Sequence, residues 1–260
     1  MNKYVEGREI GEIWGLQTIG IAKSEEEMQA HLSSLPKGGQ EAIGSKWSAG
    51  DIMYRDLNGD GKISKGASTL DDHGDLKVIG NSTPRYFFGI DLNADWKGFD
   101  VRLFFQGVMK RDYWGKDNFC GYLFGARGDK DMWHARGLVE HQDYFRAQAI
   151  GIDGHELPAN LDAYYPRPVF KEGAKNQETQ SRYLQDASYI RLKNVELAYT
   201  WNKGWIRKLG LGNLKIYVNG NNLWLWTRMP DDREANLSGA GYLGAYPTVK
   251  RINFGLKFTL

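Results

Sequence analysis

The residues whose types and spacing point most clearly to chemistry form an acidic loop. Calcium loops place oxygen ligands at their first, third, fifth and seventh positions and a glycine at the sixth, where the chain turns sharply. Here the matching ligands are the side chains of Asp56, Asn58 and Asp60 and the main-chain carbonyl of Lys62, with Gly61 between the last two. This spacing predicts a Ca²⁺ site that stabilises the loop.

The twelfth position of the pattern is Ala67, where a bidentate carboxylate is expected. Closure of the site therefore falls to the later acidic cluster, and Asp72 or Asp75 is the predicted ligand. The alternative is a turn without metal, because Asn-Gly and Asp-Gly pairs are strong turn formers. Calcium is favoured over the bare turn because several carboxylates in one loop would otherwise repel each other.

Aromatic side chains form the second group of candidates, in the long segment after Lys110. They suit stacking on a sugar or peptide, and they equally suit packing within the loop. Those selected as substrate contacts are Tyr113, Trp114, Tyr122, Trp133 and Tyr144.

The sequence gives no case for catalysis. It contains no GxSxG nucleophile motif and no phosphate-binding glycine loop. His134 and His141 lack the carboxylate motif of a zinc enzyme, and the single Cys120 supports neither a disulfide nor a zinc centre. The protein is therefore predicted not to be an enzyme.

Composition narrows the class of protein further. The formal net charge is +2, with 34 Lys and Arg against 32 Asp and Glu, so nothing indicates a nucleic-acid partner. No run of about 18 apolar residues exists for a membrane helix. The 32 glycines beside 34 Trp, Tyr and Phe residues (9, 14 and 11) favour strands and turns over helices.

Apolar residues recur at every second position in several runs, which is the signature of strands with one apolar face. Strong runs cover 88–94, 99–105, 189–201, 214–226 and 252–260, and a weaker sixth run covers 10–21. The first two meet at Trp96-Lys97-Gly98, which predicts a tight hairpin. The sequence therefore predicts an all-β, antiparallel fold.

Short and long connections alternate between these runs. Outer-membrane barrels have this pattern, with short periplasmic turns and long extracellular loops, and their strands need only about 10 residues. A soluble sandwich also alternates apolar and polar residues. Tryptophans at both strand ends favour the barrel, because membrane interfaces attract them. The predicted extracellular loops are about 22–83, 110–186 and 228–247.

Several ordered motifs resemble the carboxy-terminal part of SusC/RagA-type TonB-linked outer-membrane transporters of Bacteroidetes. The resemblance extends from about Gly7 to the end of the chain. The motifs are GDIMYRDLNGDG at 50–61, VIGNSTPRY at 78–86, WKGFD at 96–100, FFQG at 104–107, ASYIRLKNV at 187–195 and NGNNL at 219–223.

The resemblance implies an antiparallel transmembrane β-barrel segment of about six C-terminal strands, with the plug domain absent from 1–260. It also implies a Gram-negative outer-membrane location, a SusD-like surface lipoprotein as partner, and energy from the TonB complex through the missing N-terminal region. The implied substrates are oligosaccharides or peptides. Ser64, Ala67 and Leu260 depart from the pattern of the family, at two loop positions and at the terminal aromatic.

Two functions follow from these observations. The first is nutrient uptake across the outer membrane, with this chain as a C-terminal barrel fragment in contact with lipid. The alternative is a soluble or secreted calcium-stabilised β module that binds carbohydrate through its loop aromatics. Unpaired strand edges agree with a barrel fragment in the first case, because bare backbone groups in hydrocarbon cost several kcal/mol each and require further strands for closure.

Overall fold

The computed structural model describes residues 6–114, 142–152, 154–169, 172–202, 204–229 and 248–259. The chain divides into two compact units. Of the described residues, unit 1 contains those within Met1–Thr83 and Tyr113–Leu184, and unit 2 contains those within Pro84–Asp112, Gln185–Ala240 and Gly244–Leu260.

Unit 2 is built on one five-stranded antiparallel sheet. Its strands, in spatial order, are β13 (Arg251–Thr259), β12 (Asn213–Thr227), β11 (Tyr189–Trp201), β6 (Phe99–Met109) and β5 (Tyr86–Trp96). A short helix, α2 (Gly204–Lys208), lies between β11 and β12 in the chain. The all-β, antiparallel prediction is confirmed, and all five strong runs form this sheet.

The register places many residues opposite partners of similar polarity, so that the two faces of the sheet differ. Leu92, Leu103 and Val195 lie side by side on one face, and Asn93, Arg102 and Glu196 do so on the other. A shift of one residue would place apolar side chains on the polar face, so the pattern fixes the register.

Strand β11 contains a bulge between Leu192 and Asn194. The extra residue reverses the alternation. Ile190 and Leu192 therefore share the face of Val195, whereas Tyr189 lies on the opposite face and is buried. The sequence pattern had grouped Tyr189 with Val195, and that grouping was wrong because simple alternation has no signal for a bulge.

Unit 1 is assembled from short elements. They are β1 (Glu12–Leu16), β2 (Thr18–Ile21), α1 (Glu25–Ser33), β3 (Ile52–Tyr54), β4 (Leu76–Asn81), β8 (Ile150–Ile152), β9 (His155–Leu157) and a 3₁₀ turn at Gly173–Asn176. Strand β1 pairs with β4, β2 with β3, and β8 with β9. Strands β7 (Asp112–Trp114) and β10 (Leu184–Asp186) lie where the chain passes between units.

The weak sixth run, 10–21, does not join the large sheet. It divides into β1 and β2, which pair within unit 1. Gly15 in β1 allows the Thr179 main chain to approach closely, because a side chain at this position would overlap it. The described sheet thus has five strands where about six were expected.

A small core holds unit 1 together. Leu16, Met28, Ile52, Tyr54 and Ile63 are fully buried. Helix α1 supplies Met28 and begins at Ser24, whose hydroxyl accepts a hydrogen bond from the Glu27 amide at 3.2 Å. The first long connection, predicted as an extracellular loop over 22–83, is therefore a folded structure with its own interior. None of the helices in the described ranges has the length and apolar composition needed to cross a membrane.

A glycine in the last strand makes room for an aromatic ring. Tyr217 lies opposite Gly255 in the β12–β13 pair, and a methyl group on Gly255 would overlap the Tyr217 ring. We expect Gly255→Ala to destabilise the protein by about 1–3 kcal/mol through overpacking, measured by denaturant unfolding in detergent.

The control for this variant is Gly151→Ala, because a methyl group there meets open space. The double variant Gly255→Ala/Tyr217→Ala relieves the overlap and is expected to lose less stability than the sum of its single changes. Equal destabilisation at both glycines would contradict the packing explanation.

Candidate functional site

One face of the five-stranded sheet is apolar and exposed. Its side chains include Phe254 at 84% exposure, Ile252 at 60% and Leu92 at 52%. Cross-strand partners on this face form rows that run across the sheet, such as Ala94–Val101–Leu197–Val218–Phe254. A soluble protein rarely exposes a contiguous apolar surface of this kind.

Aromatic residues border this face at both ends. At the short-turn end Phe99 and Tyr199 have ring centroids 4.5 Å apart, and Tyr199 and Trp201 are also 4.5 Å apart. Trp224 and Trp226 lie at the other end and are exposed. Strand β11 between Ile190 and Tyr199 is about 30 Å long, and at the tilt of about 40° typical of membrane barrels this length would rise about 23 Å. This height matches the apolar band of about 25 Å around membrane barrels.

The opposite face of the sheet carries charges and amides. Arg102 donates to both carboxylate oxygens of Asp91, at 3.1 Å and 2.6 Å. Lys215 bridges two carboxylates, with its Nζ 3.1 Å from Asp100 and 3.5 Å from Glu196. These pairs cross from strand to strand, so they connect neighbouring strands on a wetted surface.

Amide pairs extend the polar face. Asn194 donates to Asn221 at 3.1 Å, and Asn253 donates to Asn219 at 2.7 Å. The sheet therefore has one face suited to hydrocarbon and one suited to water, which is the arrangement of a barrel wall.

In unit 1, the acidic loop is organised by its own backbone amides. The Asp56 carboxylate accepts hydrogen bonds from Gly59 at 2.7 Å and Gly61 at 2.9 Å. Asn58 accepts from the Asp60 amide at 3.0 Å, and Asp60 accepts from the Lys62 amide at 3.1 Å. These bonds hold the oxygens of the predicted ligands in place, and each oxygen keeps a second lone pair.

Asp75 closes the loop by accepting three main-chain amides. Its Oδ1 accepts from Leu57 at 2.7 Å and from Asn58 at 3.5 Å, and its Oδ2 accepts from Ser64 at 2.7 Å. The side chain is fully buried. Asp72 lies in a separate turn, where it accepts from the Ala67 amide at 3.0 Å.

The fit of this loop to Ca²⁺ rests on donor chemistry. Asp56, Asn58, Asp60 and the Lys62 carbonyl supply the oxygen types that Ca²⁺ prefers. In the part of the chain that the structure describes, no three His, Cys, Asp or Glu side chains converge as a metal centre. Any cation in the loop would thus be coordinated by the side-chain amide oxygen of Asn58 and the carbonyl oxygen of Lys62 as well as by carboxylates.

The predicted substrate aromatics lie on different segments of unit 1. Tyr113 and Trp114 belong to β7 and are half-buried. Tyr144 is half-buried, and the Arg146 guanidinium lies 4.6 Å from its ring centroid. Tyr122 and Trp133 lie outside the described residues, as do His134 and His141.

A tyrosine cluster was not identified from the sequence as a structural group. Tyr164 meets Tyr165 edge-on at 4.9 Å, and Tyr165 stacks on Tyr183 at 5.7 Å. The Arg182 guanidinium lies 5.6 Å from the Tyr164 ring centroid. Tyr165 and Tyr183 are buried, so these two rings pack within the loop structure.

The sequence analysis also missed a buried ion cluster centred on Asp51. The Lys175 ammonium lies 2.7 Å from Asp51 Oδ2, and Arg167 donates to both carboxylate oxygens, at 3.2 Å and 3.1 Å. Asp51 and Lys175 are 124 positions apart, and no short motif reports such a pair. The only signal available was Gly50-Asp51 within the first resemblance motif.

A half-buried histidine lies near the same core. The Nε2 atom of His31 lies 3.2 Å from the Gln40 Oε1 atom. Burial lowers the pKa of His31, and the contact with Gln40 partly opposes that shift. The Gln40 oxygen also accepts a hydrogen bond from the Tyr54 amide at 2.6 Å, so the His31 side chain belongs to the packing of unit 1.

Comparison with curated proteins finds TonB-dependent receptors. The chain is 28% identical to TonB-dependent receptor P3 of Formosa agariphila over 266 aligned positions, covering 96% of this chain and 22% of that protein. It is 26% identical to TonB-dependent receptor P26 of the same organism, covering 99% of this chain and 23% of that protein. No protein-family model matches the chain.

Solved structures with the same fold are RagAB complexes. The RagAB peptide transporter matches 95% of this chain and 22% of the solved chain, with a TM-score of 0.59 and 17% identity. The RagAB peptide importer in its open-open state matches 100% of this chain and 24% of the solved chain, with a TM-score of 0.55 and 19% identity. At these identities the match establishes the fold alone.

The sheet with its apolar face has the arrangement of a barrel wall, and the chain is similar over nearly its whole length to TonB-dependent receptors. The resemblance seen in the sequence is confirmed as a similarity: the curated relatives are TonB-dependent receptors, and the solved structures with this fold are RagAB transporters. The chain spans about a fifth of the length of the curated relatives it matches. These named relatives are receptors and transporters, not enzymes.

Removing the charge of Asp75 tests how the acidic loop is held. Asp75→Asn keeps the shape of the side chain but replaces one acceptor oxygen with an amide NH2 group, a donor, which leaves one main-chain amide without its acceptor. We expect the loop to lose about 1–3 kcal/mol of local stability, seen as faster amide exchange at 57–64. Asp71→Asn, at an exposed position, is the matched control. Unchanged exchange in Asp75→Asn would contradict this role.

Proposed function

We propose that this chain forms part of the wall and folded loops of an outer-membrane receptor for TonB-dependent nutrient uptake. The observation that carries the proposal is the exposed apolar face bordered by aromatic residues, backed by a polar face with ion pairs. Relatives named TonB-dependent receptors support the energy source and the location. A soluble calcium-stabilised β module, the alternative from the sequence, gives no reason for this apolar face to be exposed.

In this proposal the polar face lines the barrel interior. The residues assigned to it are Asp91, Asn93, Asp95, Arg102, Gln106, Asn194, Glu196, Lys215 and Asn219. Their side chains are suited to a hydrated lumen or to polar contacts with a plug domain, through which the TonB complex would act. The folded segments of unit 1 would then face the outside as extracellular loops.

The proposed partner is a SusD-like surface lipoprotein, and the proposed substrates are peptides or oligosaccharides. The RagAB structures are described as peptide transporters or importers, which favours a peptide. The half-buried ring of Tyr144 beside Arg146 suits either a sugar face or a peptide side chain. Tyr113 and Trp114 are further candidates for substrate contact.

Two adjacent residues test the orientation of the sheet. Ile252 lies on the apolar face and Asn253 on the polar face of the same strand. In the full-length receptor, Ile252→Arg places a charge in hydrocarbon at a cost of roughly 2–4 kcal/mol. We expect strongly reduced assembly in the outer membrane, measured by heat-modifiable migration and membrane fractionation.

Asn253→Arg is the matched control and is expected to assemble normally, because its side chain would face water. Equal assembly of the two arginine variants, or recovery of the folded unmodified protein in a soluble extract, would overturn the proposed orientation.

We also propose that the acidic loop binds Ca²⁺, with Asp56, Asn58, Asp60 and the Lys62 carbonyl as ligands and Asp75 or Asp72 completing the site. Bound calcium would stabilise the loop by neutralising its carboxylates. At a Ca²⁺ concentration about 100 times the dissociation constant, the gain is about 2.7 kcal/mol. The measurement is amide exchange at 56–75 in Ca²⁺ against chelator, with Mg²⁺ as the ionic control.

Asp60→Ala serves as the ligand-loss variant, since its side chain is near the surface and contributes one local hydrogen bond. It is expected to remove the calcium-dependent protection. The same calcium effect in Asp60→Ala and in the unmodified protein, or no calcium effect at all, would show that the loop is a turn without metal.

A further inference from the structure

Within unit 1, one segment ties together two parts of the chain that are distant in sequence. We call residues 173–183 the strap. The Leu16 amide donates to the Thr179 carbonyl at 2.8 Å, and the Ser181 amide donates back to the Leu16 carbonyl at 3.0 Å. Thr18 donates its hydroxyl to Gln180 at 2.8 Å. The strap therefore pairs with the β1–β2 segment.

The strap also contacts the buried strand β3. The Ile52 amide donates to Asn176 Oδ1 at 3.0 Å, and the Tyr54 hydroxyl donates to the Lys175 carbonyl at 2.7 Å. Gln180 donates to the Asn176 carbonyl at 2.8 Å and to the Tyr54 hydroxyl at 3.3 Å. All these side chains are buried, so their hydrogen bonds have no ready replacement by water.

Asp51 is the centre of these contacts. Its carboxylate accepts hydrogen bonds from Lys175 and Asn176 of the strap, the latter at 3.0 Å. It also accepts one from Arg167 in the preceding segment. It also accepts the Ser48 amide at 3.0 Å. Asp51 is fully buried, and the Lys175 side chain is 1% exposed. One carboxylate thus joins residues from both long connections.

Each hydrogen of the Lys175 ammonium group has an acceptor. Its three ammonium hydrogens are matched by the Ser45 carbonyl at 3.0 Å, the Lys46 carbonyl at 2.7 Å and Asp51 at 2.7 Å. Its charge also lies 4.8 Å from the Trp47 ring centroid. A buried ion pair is costly to break on one side, because the remaining charge is left uncompensated. Partial opening of this cluster is therefore disfavoured relative to complete opening.

We propose that the Asp51 cluster makes the two long connections of unit 1 a single cooperative unit, so that 12–83 and 142–184 open and close together. Binding at one connection then restrains the other, although they are far apart in sequence. The half-buried ion pair Lys65–Glu178 also joins the two connections, but it adds less than the Asp51 cluster because solvent partly screens it. The proposal does not depend on transport.

Hydrogen exchange of the unmodified, full-length protein in detergent is the first test. Peptides from 48–55 and from 175–183 are expected to show the same opening equilibrium and the same dependence on low denaturant concentrations. Different opening equilibria or denaturant slopes for the two peptides would overturn the proposal. This test requires no variant.

Asp51→Asn is the second test, since it leaves the Lys175 charge buried without its counter-charge. Opening is expected to increase by about 100-fold or more in both connections together, while exchange in β11 and β12 is unchanged. Arg167→Met removes a partner of Asp51 that is one third exposed. It is expected to give a smaller increase in opening, again in both connections and not in β11 or β12.

The matched control is Lys23→Met, which breaks the exposed ion pair between Lys23 and Asp162 and is expected to leave exchange unchanged. Faster exchange in Asp51→Asn confined to one connection would refute the cooperative unit, as would an equal increase in β11 and β12. If Asp51→Asn does not fold, Arg167→Met and the unmodified protein still decide the question.

Discussion

Hydrogen bonding between the strands is the constraint on which the sheet depends. In a membrane, every backbone amide and carbonyl needs a partner within the protein, so strands must pair along their whole length. The registers of β5, β6, β11, β12 and β13 are continuous except at the bulge of β11. In this sheet β5 and β13 each pair on one side only, and a closed wall requires further strands beside them.

Side-chain sorting follows from the same pairing. Once the register is fixed, each row of partners lies on one face, so a polar row such as Asn93–Arg102–Glu196–Asn219–Asn253 alternates with an apolar one. Ion pairs on the polar face need water or polar partners, and exposed rings on the other face need hydrocarbon. The two requirements are met together when the sheet separates lipid from an aqueous interior.

The folded connections obey a different constraint. Unit 1 has a small apolar core and gains its order from buried polar groups, especially Asp51, Lys175 and Gln180, whose hydrogen bonds are made inside the protein. A network of this kind is stable when all its members are satisfied and weak when one is missing. This gives the long connections a definite shape, which a binding surface requires.

The sequence alone determined the antiparallel all-β class, the hairpin at Trp96-Lys97-Gly98 and the acidic loop, because strand periodicity and turn chemistry are local properties. It also carried the family resemblance, through short motifs in order. It did not reveal the five-stranded count, the reversed face of Tyr189 or the use of Asp75 as an acceptor for loop amides. Those depend on which segments pair across the chain.

The Asp51 cluster shows this limit most clearly. Asp51, Arg167 and Lys175 are ordinary charged residues in the sequence, and no local pattern indicates that the three are buried together. Burial changes the energetic requirements of these residues, because a charge removed from water needs an opposite charge and hydrogen-bond partners of the right geometry. Only the tertiary structure brings those partners from over a hundred positions away, and it thereby decides that these three charges form one cluster.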